Sequence, residues 1–230
     1  MKETVLVVGV EWKLARETAI EFAQNGYQVY AAVLGSDSSK AETLHETGTK
    51  MKLCTLHGED ETQFASCVQE LKDQIGVLDY LIVQEDYGCE RMQTAVPSDY
   101  EKIGNTLEYY VCGVKSIIDE MLPLMRKGST RRIAFLSSEM ASINLTEAAS
   151  GYEFYLSQSA LHMMLRLYFN ILRPEEFTFR CAVFSDHGSA GRSAYQYITC
   201  NFSDSKNDPP CHSEENRLVM RGDGFREIPW

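Results

Sequence analysis

Short apolar runs alternate with amphipathic runs along most of the chain. TVLVVG at 4–9 reads as a buried strand, continuous in apolar and β-branched residues and closed by glycine. Residues 14–25 then place Leu14, Thr18, Ala19, Phe22 and Ala23 on one helical stripe, with Gly26 as the stop. YQVYAAV at 27–33 predicts a second strand, and a polar stretch leads to a short helix near 39–47. A weaker third strand falls at 51–56. Residues 60–75 predict an amphipathic helix: Phe64, Cys67, Val68, Leu71 and Ile75 share one face, and Gly76 stands at the C-terminal cap.

The alternation continues in the second half. DYLIV at 79–83 predicts a strand, and Pro97 suits the first turn of a long helix running to about Lys127. IAFLS at 133–137 is a strand, 153–173 a helix that is apolar almost all round, and RCAVF at 180–184 the sixth strand. Then the pattern changes. Residues 185–216 are polar and read as a long loop or lid, and RLVMRGDGFREIPW reads as a closing hairpin with Asp223-Gly224 at its turn. Strands alternating with helices predict an α/β fold in which a parallel sheet is covered on both faces. There is no internal repeat and no linker, so residues 1–230 are expected to form one domain.

Composition adds a few limits. The net charge of −11 disfavours nucleic acid and anionic membrane as partners. No run reaches the roughly 18 apolar residues that span a bilayer. MKETVLVVGVEW lacks the features of a signal peptide. Seven cysteines at scattered spacings argue against a disulfide framework and for a reducing, cytoplasmic location. His187, Cys200, Cys211 and His212 match no zinc spacing, so no metal site is expected.

Four local patterns, in this order, resemble the short-chain dehydrogenase/reductase family. They are VLVVG before a helix ending FAQNGYQVY, then LDYLIV, then IDEMLPLMRKG with RRIAFLSS, and YLSQSALHMML in place of the family's Tyr-x-x-x-Lys helix. The resemblance spans roughly residues 3–188. It implies a Rossmann-type, doubly wound sheet of about seven mostly parallel strands with helices on both faces. It also implies an NAD(P) site and a catalytic Ser-Tyr-Lys group assisted by an Asn.

Most of the diagnostic positions depart from that pattern. The phosphate loop reads VGVEWKLA: Gly9 matches the first glycine, Lys13 replaces the second and Ala15 the third. Those glycines let backbone approach a pyrophosphate and let the helix pack closely. Lys13 either grips phosphate itself or fills its place, Trp12 adds bulk, and Glu11 adds a negative charge. As plain structure, Gly9 is a strand-to-helix turn, and Glu11 and Lys13 form a solvated surface pair. Val33 and Leu34 stand where an acid or a nearby Arg selects the cofactor. The adenine-side Asp falls near His57. Asn-Asn-Ala-Gly becomes Val83-Gln84-Glu85-Asp86, and the later Pro-Gly becomes Asp186-His187.

At the catalytic positions Ser138 aligns with the Ser, Tyr155 with the Tyr, Ser159 with the Lys and Tyr110 with the Asn. A serine hydroxyl carries no charge with which to stabilise a tyrosinate. Tyr152 is better spaced from Ser138, but it sets Leu156 at the Lys position. Halohydrin dehalogenases share the fold and place an Arg there, which Ser159 is not. His162 lies one turn further on and reads as a packed, hydrogen-bonded histidine.

The expected function is therefore an oxidoreductase-like fold with a degraded dinucleotide and catalytic site, binding no cofactor and acting as a non-catalytic partner subunit or binding module. The alternative is an NAD(P)-dependent oxidoreductase of unknown alcohol or ketone with an atypical cofactor site. Excess apolar surface predicts a homo-oligomer, dimer or tetramer, or pairing with an active sister subunit. It is carried by 153–173, with Phe154, Leu161, Met164, Leu165, Tyr168 and Leu172 and further apolar residues at 160, 163, 167 and 171, and by Leu107, Tyr110, Val111, Val114, Ile117, Ile118 and Met121 of the preceding long helix.

Overall fold

The structure is a computed structural model that describes residues 2–34, 51–56, 61–84, 99–148, 150–184, 189–200 and 218–230. The expected helix near 39–47 and Pro97 lie outside the described residues. Among the described residues eight strands form one sheet in the order β3-β2-β1-β4-β5-β6-β7-β8. They are β1 (Thr4–Val8), β2 (Gln28–Leu34), β3 (Met51–Leu56), β4 (Tyr80–Gln84), β5 (Arg132–Ser137), β6 (Thr178–Val183), β7 (Met220–Arg221) and β8 (Glu227–Ile228). All neighbours pair in parallel except β7 and β8. The central strands are buried on both faces, which is why they appear in the sequence as unbroken apolar runs rather than alternating ones.

Helices cover both faces. On one side α1 (Lys13–Gln24) and α6 (Ala190–Thr199) enclose Val5, Val7, Phe22, Ile82 and Ile198. On the other, α2 (Glu61–Ile75), α4 (Gly113–Met125) and α5 (Tyr152–Leu172) enclose Leu6, Leu81, Ile117, Phe135 and Leu165. Gly26 and Gly76 take positive φ, +90° and +71°, as C-terminal stops do.

The long helix expected over 98–127 is three pieces: α3 (Tyr100–Thr106), a π-helical stretch Leu107–Cys112, and α4. Asp99 opens it by accepting a hydrogen bond from the Lys102 N–H at 3.1 Å. The π stretch contains Tyr110. Such an inserted turn leaves the average hydrophobic period almost unchanged, so it is silent in the pattern.

Two expectations are corrected. The polar segment 185–216 is not loop throughout, because α6 occupies its middle. Ala190, Gly191, Ala194, Tyr197 and Ile198 form its buried stripe. A Cβ on Gly191 would lie 2.4 Å from the Glu17 Cβ, so glycine lets α6 press against α1. Two buried arginines on the sheet hold its C-terminal end: Arg132 donates to the Ile198 and Cys200 carbonyls at 2.6 and 3.1 Å, and Arg180 to that of Cys200 at 3.2 Å. The closing hairpin forms as expected, with Met220 opposite Ile228 and Gly224 at φ +65° in its turn.

The second correction concerns which apolar residues face outward. Phe154, Leu161, Met164, Leu165, Tyr168 and Leu172 are buried, as are Val114, Ile117, Ile118 and Met121 of α4. The exposed apolar stripe of α5 is instead Met163, Leu167 and Ile171, at 60%, 52% and 65% exposure. The sheet takes the first stripe because it faces β5 and β6, and a helix can turn only one face to a sheet.

Candidate functional site

The site begins at the turn after β1. Gly9 has φ +89°, and a Cβ there would stand 2.0 Å from the Gln84 carbonyl oxygen, so strand β4 leaves room only for glycine. The Gly9 and Val10 N–H groups both donate to the Ala32 carbonyl, at 2.8 and 3.2 Å, and the Trp12 N–H returns to Gly9 at 3.0 Å. Helix α1 starts at Lys13 with Trp12 at its N-cap, a residue with no side-chain oxygen to offer.

Gln84, at the end of β4, supplies that oxygen from across the fold. Its side-chain carbonyl accepts the Ala15 N–H at 2.6 Å, and both groups are buried. It satisfies a first-turn donor that would otherwise be open to an anion. Ala15 itself is fully buried and packs in the core beside Val5, Val7 and Leu14. Its methyl group is tolerated where the family places its third glycine.

Glu11 is half-buried, and its carboxylate folds back to accept the Leu34 N–H at 3.2 Å to each oxygen. The expectation of a solvated Glu11–Lys13 pair is thus corrected for Glu11: that backbone N–H, shielded at the end of β2, attracts the carboxylate more than open solvent does. Lys13 is exposed. Arg16 donates to the carbonyls of Val10 and Glu11, at 3.4 and 3.2 Å, and braces the same turn. Val33 is buried, so the end of β2 presents no polar side chain of its own.

The catalytic positions lie past β5 and on α5. Ser138 caps a short 3-10 turn, its hydroxyl accepting the Met140 N–H at 3.2 Å. Tyr155 is half-buried and packs edge-on against Phe154, with ring centres 5.2 Å apart. Among the described residues no hydrogen bond joins Ser138, Tyr155 and Ser159. Tyr152, the alternative tyrosine, is 51% exposed. Tyr110 sits in the π stretch with its ring against Tyr109 at 5.0 Å.

A different pair does meet. The Ser137 hydroxyl and His162 Nε2 are 2.8 Å apart, and His162 packs edge-on against Trp230 at 5.0 Å. Burial depresses the His162 pKa from 6.5 to about 4, so the ring is neutral at neutral pH. The sequence indicates a packed His162 but not its partner, because Ser137 is one of two adjacent serines and only the packing of α5 against the end of β5 selects it. Gln84 falls in the segment that aligns with Asn-Asn-Ala-Gly, but nothing in the sequence joins its side chain to the Ala15 N–H, 69 residues away.

His57, Glu85, Asp86, Asp186, His187, Cys211 and His212 lie outside the described residues. Among the described residues there is no cluster of three metal-prone side chains, and no helix long and apolar enough to cross a membrane. The Cys200 thiol donates to the Tyr197 carbonyl at 3.1 Å.

The sequence profile of the family described as short chain dehydrogenase matches residues 3–168. The chain belongs to this family. Its strand order agrees with that membership. The C-signal protein of Myxococcus xanthus is 33% identical over 79 residues, 34% of this chain and 48% of that protein, so the match spans about half of that relative. Acetoin dehydrogenase from Enterobacter cloacae superposes with a TM-score of 0.70 at 16% identity, covering 98% of this chain and 96% of that one. A carbonyl reductase from Pseudomonas aeruginosa PAO1 in complex with NADP superposes with a TM-score of 0.66 at 20% identity, covering 99% and 100%. At these identities the structural matches establish the fold.

Proposed function

We propose that this short-chain dehydrogenase family member is chemically silent, serving as a partner subunit or binding module with no dinucleotide cofactor. The observation that carries the reading is the hydrogen bond from the Ala15 N–H to the Gln84 side chain, 2.6 Å long and buried. That donor belongs to the helix start where a dinucleotide's pyrophosphate would rest. The Glu11 carboxylate on the Leu34 N–H places a negative charge beside the same turn. The residues present therefore do not fit a dinucleotide as the family holds one. Breaking one buried hydrogen bond costs about 1 kcal/mol, and a phosphate about 4 Å from a carboxylate costs roughly 1–4 kcal/mol. Together these take a micromolar site, about −8 kcal/mol, toward the millimolar range. Ser159 in place of lysine removes the positive charge that would stabilise a tyrosinate at that position.

The test is calorimetric titration with NAD, NADH, NADP and NADPH. No binding tighter than about 100 μM is expected, and a micromolar dissociation constant for any of the four overturns the reading. Glu11→Ala combined with Gln84→Ala should tighten binding by about tenfold or more, and unchanged affinity would show that these side chains are not what excludes the nucleotide.

The second reading is an NAD(P)-dependent oxidoreductase of alcohols or ketones with an atypical cofactor site. It is supported by the similarity to a carbonyl reductase that binds NADP and by the presence of Ser138 and Tyr155. Under the first reading Ser159→Lys alone yields no turnover.

We further infer a homo-oligomer, or a pairing with an active sister subunit, on the exposed stripe of Met163, Leu167 and Ile171. The scattered spacing of the seven cysteines supports a cytoplasmic location.

A further inference from the structure

A cleft of about 450 Å³ opens between α5 and the C-terminal hairpin. Ser159, His162, Met163 and Arg166 line it from the helix, and Glu227 and Trp230 from the hairpin side. Positions 159, 162 and 166 follow the i, i+3, i+7 spacing of one helical stripe, so all three stand on the side of the helix that lines the cleft. The cleft lies at the β7–β8 edge. Four strand spacings, roughly 19 Å, separate β7 from the turn after β1. It is thus separate from the dinucleotide loop, and its occupancy does not depend on the reading given above.

Three of its polar groups are uncommitted. Arg166 rests on the Phe169 ring at 5.3 Å, and among the described residues it makes no hydrogen bond or ion pair. The Ser159 hydroxyl likewise has no partner among the described residues. His162 is only 7% exposed, and its Nε2 is engaged by Ser137 while Nδ1 has no partner among the described residues. Around them stand the Trp230 indole and the Met163 side chain. A cavity of this volume, with apolar walls and a few converging polar groups, has the size and make-up of a small-molecule site.

We propose that the cleft binds a small organic monocarboxylate with a flat apolar body, the carboxylate on Arg166 and Ser159 and the body against Trp230 and Met163. Arginine presents a planar fork that matches a carboxylate, and an ion-assisted hydrogen bond is about twice as strong as a neutral one. Glu227 repels a second negative charge, so a monoanion fits better than a dianion. In the tautomer whose Nε2 accepts from the Ser137 hydroxyl, the neutral His162 ring adds one hydrogen bond from Nδ1 without a charge of its own.

Trp12 and Trp230 are the two tryptophans, so Trp12→Phe leaves Trp230 as the sole indole reporter. The probe is hydrocinnamate, with its alcohol and its amine as the uncharged and cationic analogues. Hydrocinnamate should quench Trp230 saturably with a dissociation constant of about 1 mM or tighter, and both analogues and Arg166→Gln should each weaken binding about tenfold. If Trp12→Phe does not fold, saturation-transfer NMR on the unaltered chain reads the same titrations. No saturation by about 10 mM overturns the proposal, as does equal binding by Arg166→Gln or by the amine.

Discussion

Mild acid should destabilise this protein through one buried side chain. His162 is neutral in the folded chain with a pKa near 4, while in the unfolded chain it titrates near 6.5. Between those values the unfolded chain binds a proton that the folded chain refuses, so stability falls as pH drops through 6.5 and the loss is complete near pH 4. The full gap corresponds to about 3 kcal/mol, and at pH 5 the loss is about 2 kcal/mol. The cause is desolvation: the ring lies under Trp230 and against Ser137. His162→Gln keeps a partner for the Ser137 hydroxyl but does not titrate. Urea unfolding of both chains at pH 7 and pH 5, at one protein concentration, isolates the term, since other groups titrate alike in the two. The unaltered chain should lose about 2 kcal/mol more than His162→Gln. Parallel losses would mean that His162 is solvated in the folded state.

Two further outcomes follow from the geometry. Gly9→Ala combines a φ of +89° with a Cβ 2.0 Å from a strand carbonyl, so it should cost about 2–4 kcal/mol by thermal or urea unfolding, and a loss under about 0.5 kcal/mol would show that the turn can move. Leu167→Glu, at a 52% exposed position, should reduce a dimer or larger assembly to single chains in size exclusion with light scattering while leaving stability within about 1 kcal/mol; Leu165→Glu, at 0% exposure, should unfold the chain, and a single-chain mass for the unaltered protein at micromolar concentration would refute the interface.

The sequence by itself determined the strands and most of the helices, because both are written in local periods. A strand buried on both faces must be continuously apolar, and TVLVV and YLIV could be little else. The ordered set of runs likewise carried the family, and the replaced glycines and the missing lysine were visible position by position. What it did not determine depends on contacts far apart in the chain. Helix α6 was hidden because its stripe is built on Ala190, Gly191 and Ala194, and the arginines that hold its end lie on β5 and β6. Helix α5 is apolar nearly all round, so only its seat on the sheet decided that Leu165 is core and Leu167 surface. The site shows the same division. Gly9 was legible from its place after a strand, whereas Gln84 caps Ala15 across 69 residues, and Ser137 meets His162 across 25. A period fixes which residues share a face, but which donor finds which acceptor is settled only when the sheet closes and water leaves, since an unpaired buried donor would cost more than either partner alone can offset.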